Sequence, residues 1–253
     1  TESMSVLRIS PTMGPRQGGT EVFISGINIV EAKHSSPKCK FHDVIVRARY
    51  VNASTLACVS PVLSYKEKLP STGFFVSFGI SISDTEDLND FVVDDVFFQY
   101  YDQVKLVGIK PASTATNGNS TVTVFGEGFF STAESIMCCY GNITASGVFI
   151  SSTEILCETT SLSPGLWHVD VTLNGITRDR SKMGIQLEVF EEPSISYISP
   201  NRVLREGNTN VRVHGSNFVS VGGGKNVRCS FGEGLESPGQ VLSSNEIECV
   251  TPR

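Results

Sequence analysis

The seven cysteines are the residues of this sequence whose chemistry follows the clearest pattern. Six of them form three pairs with nearly the same internal spacing: Cys39 and Cys58, Cys138 and Cys157, Cys229 and Cys249. Such pairs can form disulfides, can be buried as small hydrophobic thiols, or can bind zinc. Zinc ligands usually lie about two to four residues apart, which these do not. We favour disulfides, each closing a loop of ~20 residues and contributing about 3 kcal/mol to stability.

The seventh cysteine, Cys139, directly follows Cys138, so on a strand the two side chains point to opposite faces. An aromatic residue stands two positions after Cys39 and Cys229, and Tyr140 takes that place after Cys138. Cys139 is therefore left over, as a shielded thiol or an intermolecular link, and we favour the shielded thiol. Because disulfides persist in oxidising surroundings, the cysteines predict a secreted or cell-surface protein.

Three N-x-S/T sequons, at Asn52, Asn119 and Asn142, agree with that compartment. Each lies in a segment that is typical of a turn. A single sequon carries little weight, but glycans at all three places would be solvated and would shield sheet edges. The sequence therefore predicts N-linked glycans at one or more of these asparagines.

No other set of side chains has the spacing of a catalytic or metal site. The four histidines, His34 among them, are scattered, and neither an H-E-x-x-H pair nor a G-x-S-x-G turn occurs. The glycine-rich residues 222–225 lack the remaining positions of a phosphate-binding loop and are typical of a hairpin loop. The acidic residues in 84–95 could bind Ca²⁺ but lack EF-hand spacing, which favours a solvated loop. We expect no catalytic residue, no metal and no cofactor.

The paired cysteines belong to a unit that occurs three times. An I-x-P motif begins at Ile9, Ile109 and Ile198, and about eight residues later a glycine-bearing turn leads into an alternating strand that ends at a glycine. The copies repeat at about 100 and 90 residues, the size of an immunoglobulin-like sandwich. We predict three domains, residues 1–103, 104–192 and 193–253. The third lacks the strands that follow the second cysteine of the others, so we expect it to be incomplete at its C-terminal end.

Apolar and polar residues alternate within each copy with the period of two that is typical of strands. The pattern predicts an all-β protein of tandem immunoglobulin-like β-sandwiches, each with about six or seven antiparallel strands. Short linkers, one with a proline, predict that the copies are arranged as a rod. No apolar run reaches the ~18–20 residues that span a bilayer, so we expect no membrane insertion within this segment. The net charge of −6 argues against a nucleic-acid partner.

The order of these landmarks resembles that of IPT/TIG domains. The motifs are I-x-P, then G-x-x-V-x-V-x-G-x-x-F, then C-x-F-G, then a second cysteine followed by proline, as in residues 58–61 and 249–252. The second copy departs from the pattern, since residues 158–160 stand where the proline is expected. IPT/TIG domains are immunoglobulin-like modules shared by plexins and transcription factors, and the disulfide-bearing version is similar to that of extracellular proteins.

The resemblance implies a non-enzymatic extracellular segment with a structural, adhesion or receptor-ectodomain role. It would act as a spacer and protein-binding rod, within a larger filament or surface glycoprotein, with other proteins or neighbouring copies as partners. The alternative is an accessory module, carbohydrate-binding or spacer, of a secreted glycosidase. Such a module needs an exposed aromatic platform, and the one tryptophan, Trp167, alternates with Val169 and Val171, which favours a core position.

Overall fold

The computed structural model describes residues 5–29, 36–64, 69–83, 90–93, 95–218 and 227–253. His34, the glycine-rich residues 222–225 and most of the acidic stretch (84–89 and 94) lie outside the described residues. The chain divides into two compact units. The first unit is Thr1–Lys110, Thr121–Glu158 and His168–Gln186, and the second is Pro111–Ser120, Thr159–Trp167 and Leu187–Arg253.

The first repeat forms eight strands, all in the first unit. They are β1 (Ser5–Ser10), β2 (Met13–Pro15), β3 (Glu21–Ile27), β4 (Lys38–Phe41), β5 (Val44–Asn52), β6 (Thr55–Val59), β7 (Phe74–Ser81) and β8 (Phe97–Tyr101). Their order is β1-β3-β6-β5-β4-β7-β8-β2. Alternation explains the core: Val22 and Ile24 of β3 are fully buried while Phe23 between them is exposed.

Both ends of this sheet contribute to one core. Val22, Ile24 and Leu56 come from β3 and β6, and they belong to the same buried cluster as Phe41, Phe78 and Phe98 from β4, β7 and β8. The Phe41 ring meets those of Phe78 and Phe98 edge to face, with centroids 5.0 and 5.2 Å apart. The prediction of immunoglobulin-like β-sandwiches is confirmed.

One strand pair of the first repeat departs from the predicted antiparallel pattern. The three-residue strand β2 pairs in parallel with β8, so that Met13 lies beside Gln99 and Pro15 beside Tyr101. A run of three residues is too short to show a period, and for that reason the sequence did not identify this strand. It holds the turn that follows β2 against the end of β8.

The second repeat also forms eight strands, shared between the two units. They are β9 (Lys105–Lys110), β10 (Ser113–Ala115), β11 (Thr121–Glu127), β12 (Met137–Tyr140), β13 (Ile143–Ser151), β14 (Glu154–Glu158), β15 (Gly165–Thr172) and β16 (Ile185–Phe190). In the first unit the pairing runs β9-β11-β14-β13-β12 and on to residues 169–172 of β15. In the second unit β10 pairs in parallel with residues 188–190 of β16. A 3-10 turn spans Thr177–Asp179 in the loop between β15 and β16.

The described part of the third repeat lies in the second unit. It consists of β17 (Ser194–Ser199), β18 (Asn210–Ser216), β19 (Arg228–Ser230), β20 (Glu236–Ser243) and β21 (Glu246–Val250), in the order β17-β18-β21-β20-β19. Among the described residues, no helix combines the length and the apolar character that crossing a membrane requires.

Candidate functional site: the joint between the first two repeats

A hydrogen-bonded polar cluster lies where the first two repeats meet, inside the first compact unit. The first repeat contributes residues 12–20, which contain β2 and the turn after it, and the end of β8. The second contributes residues 130–134 and the loop between β15 and β16. We call this loop, residues 173–184, the joint loop.

Asp179 is the centre of the cluster. It is buried, and its Oδ2 accepts a hydrogen bond from the hydroxyl of Thr20 at 2.7 Å and one from Nδ2 of Asn174 at 2.8 Å. Asn174 donates a second bond from Nδ2 to the backbone oxygen of Met13 at 2.9 Å. No basic side chain pairs with Asp179 within the described residues, so the carboxylate is stabilised by neutral donors. Two bonds therefore cross directly from one repeat to the other.

The amide of Asn174 is itself held in one orientation. Its Oδ1 accepts bonds from the hydroxyl of Thr172 at 2.7 Å and from the backbone N–H of Ile176 at 3.1 Å. Every polar atom of that side chain is thus engaged, which is the condition under which a buried polar network stabilises a specific packing.

A second buried carboxylate shapes the end of the joint loop. Oδ1 of Asp170, on β15, accepts bonds from the hydroxyl of Ser181 at 2.7 Å and from the N–H groups of Met183 and Gly184 at 2.8 and 3.1 Å. The Nε of Arg180 lies 3.9 Å from Oδ2 of the same carboxylate. These bonds fix the part of the joint loop that follows residue 179.

The linker between the repeats also binds the joint loop. Nε2 of Gln103 donates to the backbone oxygens of Asp179 and Arg180, at 3.2 and 2.9 Å. The preceding residue, Asp102, accepts from Nη1 of Arg16 at 3.0 Å and from the backbone N–H of Leu69. A linker that is short in sequence is therefore also restrained by its side chains.

Further contacts surround the cluster. Oε1 of Glu134 accepts from both the backbone N–H and the hydroxyl of Thr12, each at 2.6 Å. The rings of Tyr101 and Phe130 meet edge to face with centroids 5.9 Å apart. Tyr101 is almost fully buried, and its hydroxyl has no hydrogen-bond partner in the described part of the chain. Burial, and next the negative charge of Asp179, raises the pKa of Tyr101.

The chemistry available at the joint is binding and positioning. A cleft of about 540 Å³ beside it is lined in part by Gln17, Lys105, Glu127 and Ser181, and no histidine or cysteine contributes to its wall. In the part of the chain that the structure describes, no three histidine, cysteine or acidic side chains come together to hold a metal ion.

Three disulfides tie each repeat internally. They join Cys39–Cys58, Cys138–Cys157 and Cys229–Cys249, with Cα atoms 6.4, 5.8 and 6.1 Å apart. In the first repeat the bond links β4 to β6, two strands that both pair with β5. Cys139 is a buried free thiol. Burial raises the pKa of Cys139, and the nearby charges of Arg180 and Asp170 have smaller and opposite effects.

A small residue faces each disulfide, a feature that sequence reasoning missed. Ala48, Gly147 and Gly239 pair with Cys58, Cys157 and Cys249 across the sheet. A Cβ atom on Gly147 would lie 3.1 Å from Sγ of Cys138 and 2.9 Å from Cγ2 of Ile136. The bridge therefore needs a small side chain opposite it. The alignment of the three copies contains this signal, since all three residues lie ten positions before the second cysteine.

The three sequon asparagines are all exposed. Asn52 is the last residue of β5, Asn119 precedes β11, and Asn142 lies between β12 and β13. Trp167 differs from its expected core position. It is only half-buried near the exposed start of β15, and its Nε1 donates to the backbone oxygen of Ser163 at 2.9 Å.

The family model for the IPT/TIG domain matches residues 4–100, 105–188 and 193–253. The chain belongs to the IPT/TIG family. The resemblance seen in the sequence motifs is thereby confirmed. The joint is thus a contact between consecutive IPT/TIG repeats.

Several individual relatives are plexins. The chain is similar to plexin-A4 of Mus musculus, with 25% identity over 98% of this chain and 13% of the relative. It is also similar to plexin-A4 of Danio rerio, with 22% identity over 98% of this chain and again 13% of the relative. The chain thus spans about an eighth of the length of these curated relatives.

Among solved structures, the chain is similar to the full extracellular region of plexin A4, with a TM-score of 0.53 and 21% identity over 99% of this chain and 21% of that chain. This likeness shows the fold. With the three disulfides and the extracellular relatives, the IPT/TIG repeats of this chain are an extracellular or cell-surface segment.

Proposed function

We propose that this chain is a non-enzymatic segment of a receptor ectodomain, in which IPT/TIG repeats space and orient binding surfaces for other proteins or for neighbouring copies of a larger assembly. Its domains are residues 1–103, 104–192 and 193–253. N-linked glycans are attached at one or more of Asn52, Asn119 and Asn142. Homology to plexins supports the receptor assignment, and the comparisons do not favour an accessory module of a glycosidase.

The observation that carries the spacer role is the joint. A spacer transmits orientation only if its repeats do not swing freely, and a short linker alone leaves rotation possible. Here the buried carboxylate of Asp179 accepts a bond from Thr20 of the preceding repeat, and Asn174 reaches the backbone of Met13. Moving one repeat against the other breaks these bonds and leaves buried polar groups unpaired, which costs about 1–3 kcal/mol for each group.

Residual dipolar couplings of the full, isotopically labelled chain test this role. Amides of the first and second repeats should fit one common alignment tensor in the wild-type protein. Asp179→Ala should require two tensors, whereas Thr123→Val, which changes a strand residue with no bond to the first repeat, should keep one. Two independent tensors in the wild-type chain would contradict the proposal.

A further inference from the structure

We propose that the N-linked glycan on Asn142 packs into the cleft beside it and stabilises the joint loop. This inference rests on the proposed secretion and glycosylation of the chain. It assigns to one of the three sequons a structural role that the other two lack.

At positions 52 and 119 the local backbone structure itself favours asparagine. Oδ1 of Asn52 accepts bonds from the N–H and hydroxyl of Ser54, at 3.0 and 3.1 Å, which fixes the turn between β5 and β6. Ser151 makes the corresponding bond to the N–H of Thr153 in the second repeat. Asn119 has a φ of 55°, in the left-handed region where asparagine is favoured, and Asn208 has a φ of 59° at the matching position of the third repeat.

Neither a turn hydrogen bond nor a positive φ favours asparagine at position 142. Its backbone is outside the positive-φ region, the preceding Gly141 taking that conformation with a φ of 59°. Its exposed side chain makes no hydrogen bond to any residue that the structure describes. The asparagine is therefore free for modification at no conformational cost.

Asn142 lines a cleft of about 390 Å³, and the joint loop forms the opposite wall. The lining residues are Gly141, Asn142, Thr177, Arg178 and Arg180. A sugar on Nδ2 of Asn142 starts at this cleft. Within the described residues, Thr177 and Arg178 are exposed and without hydrogen-bond or ion-pair partners. Their hydroxyl and guanidinium groups can donate to the acetamide and hydroxyl oxygens of N-acetylglucosamine.

The cleft is connected directly to the joint. Nη1 of Arg180 donates to the backbone oxygen of Gly141 at 2.6 Å, which ties the turn bearing Asn142 to the joint loop. Asp179 accepts the hydrogen bond from Thr20 of the first repeat. In the sequence it lies between two residues that line the cleft, Arg178 and Arg180. A glycan bound to this wall must be released when the loop opens, so it raises the free energy of local opening.

Hydrogen exchange of the full chain, secreted from a eukaryotic cell, tests the inference. Glycopeptide mass spectrometry first establishes the occupancy of each sequon. Removal of the glycan by Asn142→Gln, or by Thr144→Val with the asparagine retained, should speed exchange in residues 174–184 by about fivefold or more. Asn119→Gly is the matched control: it removes another sequon, and glycine adopts that backbone, as Gly19 does in the first repeat with a φ of 90°. Exchange in 174–184 should not change in this control.

The outcomes separate this inference from the proposed function. Occupied Asn142 with unchanged exchange in both variants would overturn the structural role and leave secretion intact. Unmodified Asn142 beside glycans at Asn52 or Asn119 would overturn it as well. Absence of glycan at all three asparagines would contradict the proposed glycosylation itself.

Discussion

The hydroxyl of Thr20 donates a hydrogen bond to the carboxylate of Asp179, 2.7 Å away and 159 positions later in the chain, and both residues are buried. No salt bridge to Asp179 is found in the described residues. A carboxylate in such a place depends on its hydrogen-bond donors, and here a donor belongs to the neighbouring repeat. The stability of the second repeat's loop and the attachment of the first repeat are therefore coupled.

The first prediction concerns this pair. Asp179→Ala leaves the Thr20 hydroxyl and an Asn174 N–H without a partner, so we expect the free energy of unfolding to fall by about 2–4 kcal/mol. Thr20→Val should cost about 1.5–3 kcal/mol, because a charged acceptor loses a donor. Urea denaturation of both single variants and the double variant should give a coupling energy above about 0.5 kcal/mol. Strict additivity, or an equal loss in the half-buried control Thr123→Val, would contradict this coupling.

Tyr101 and Tyr140 should respond in opposite ways to removal of their hydroxyls. The Tyr101 hydroxyl is buried without a partner in the described residues, so Tyr101→Phe should leave the free energy of unfolding unchanged or raise it by up to about 1 kcal/mol. The Tyr140 hydroxyl donates to the backbone oxygen of Glu158 at 2.8 Å, so Tyr140→Phe should lower it by about 1 kcal/mol. Equal losses in the two variants, measured by urea denaturation, would show that the Tyr101 hydroxyl has a bond in solution.

Alkaline pH should destabilise the protein. Burial raises the pKa of Tyr100, Tyr101 and Tyr140 in the folded chain, whereas the unfolded chain titrates these phenols near pH ~10. Above that pH the unfolded state binds fewer protons, so the free energy of unfolding is fully retained below pH ~10 and falls as pH rises further. Denaturation curves at a series of alkaline pH values should show this decline, and it should be shallower in Tyr101→Phe. A flat profile would contradict the burial of the phenols.

The disulfide in the second repeat should be sensitive to the residue that faces it. Gly147→Val forces atoms against Sγ of Cys138, and we expect a loss of about 1–3 kcal/mol. Gly108 is a matched glycine in β9, since a Cβ atom there meets nothing within 4 Å. Gly108→Val should change the free energy of unfolding by less than about 0.5 kcal/mol. Similar losses in the two variants, in urea denaturation under non-reducing conditions, would rule out crowding at the bridge as the cause.

Peptide mapping without reduction should recover Cys39–Cys58, Cys138–Cys157 and Cys229–Cys249. Cys139 should be alkylated only after denaturation, because it is buried and its raised pKa keeps the thiol protonated. The measurement is the rate of iodoacetamide labelling in the native and denatured chain. Rapid labelling of native Cys139, or its presence in a bridge with Cys157, would contradict the pairing.

Sequence patterns predicted the strands well where period two extended over several residues, as in β3 and β11. They failed for β2 and β10, each three residues long, whose parallel pairing with β8 and β16 depends on distant chain segments. They also misplaced Trp167. Its alternation with Val169 predicted a core position, but burial also depends on the position along the strand, and the first residues of β15 are exposed.

The sequence by itself determined the repeated unit, its fold class and its family, because these follow from the spacing of residues that are close in the sequence. The signals are alternating apolar residues, glycine-bearing turns, and cysteines at recurring positions. The joint was decided by the tertiary structure alone. Residues 174–181 have no periodic apolar pattern and are typical of a polar loop. Nothing near Asp179 in the sequence indicates that its hydrogen-bond partner is Thr20. A buried polar residue acquires its partner from the packing of two separate repeats, and that packing is not encoded in either repeat's own pattern.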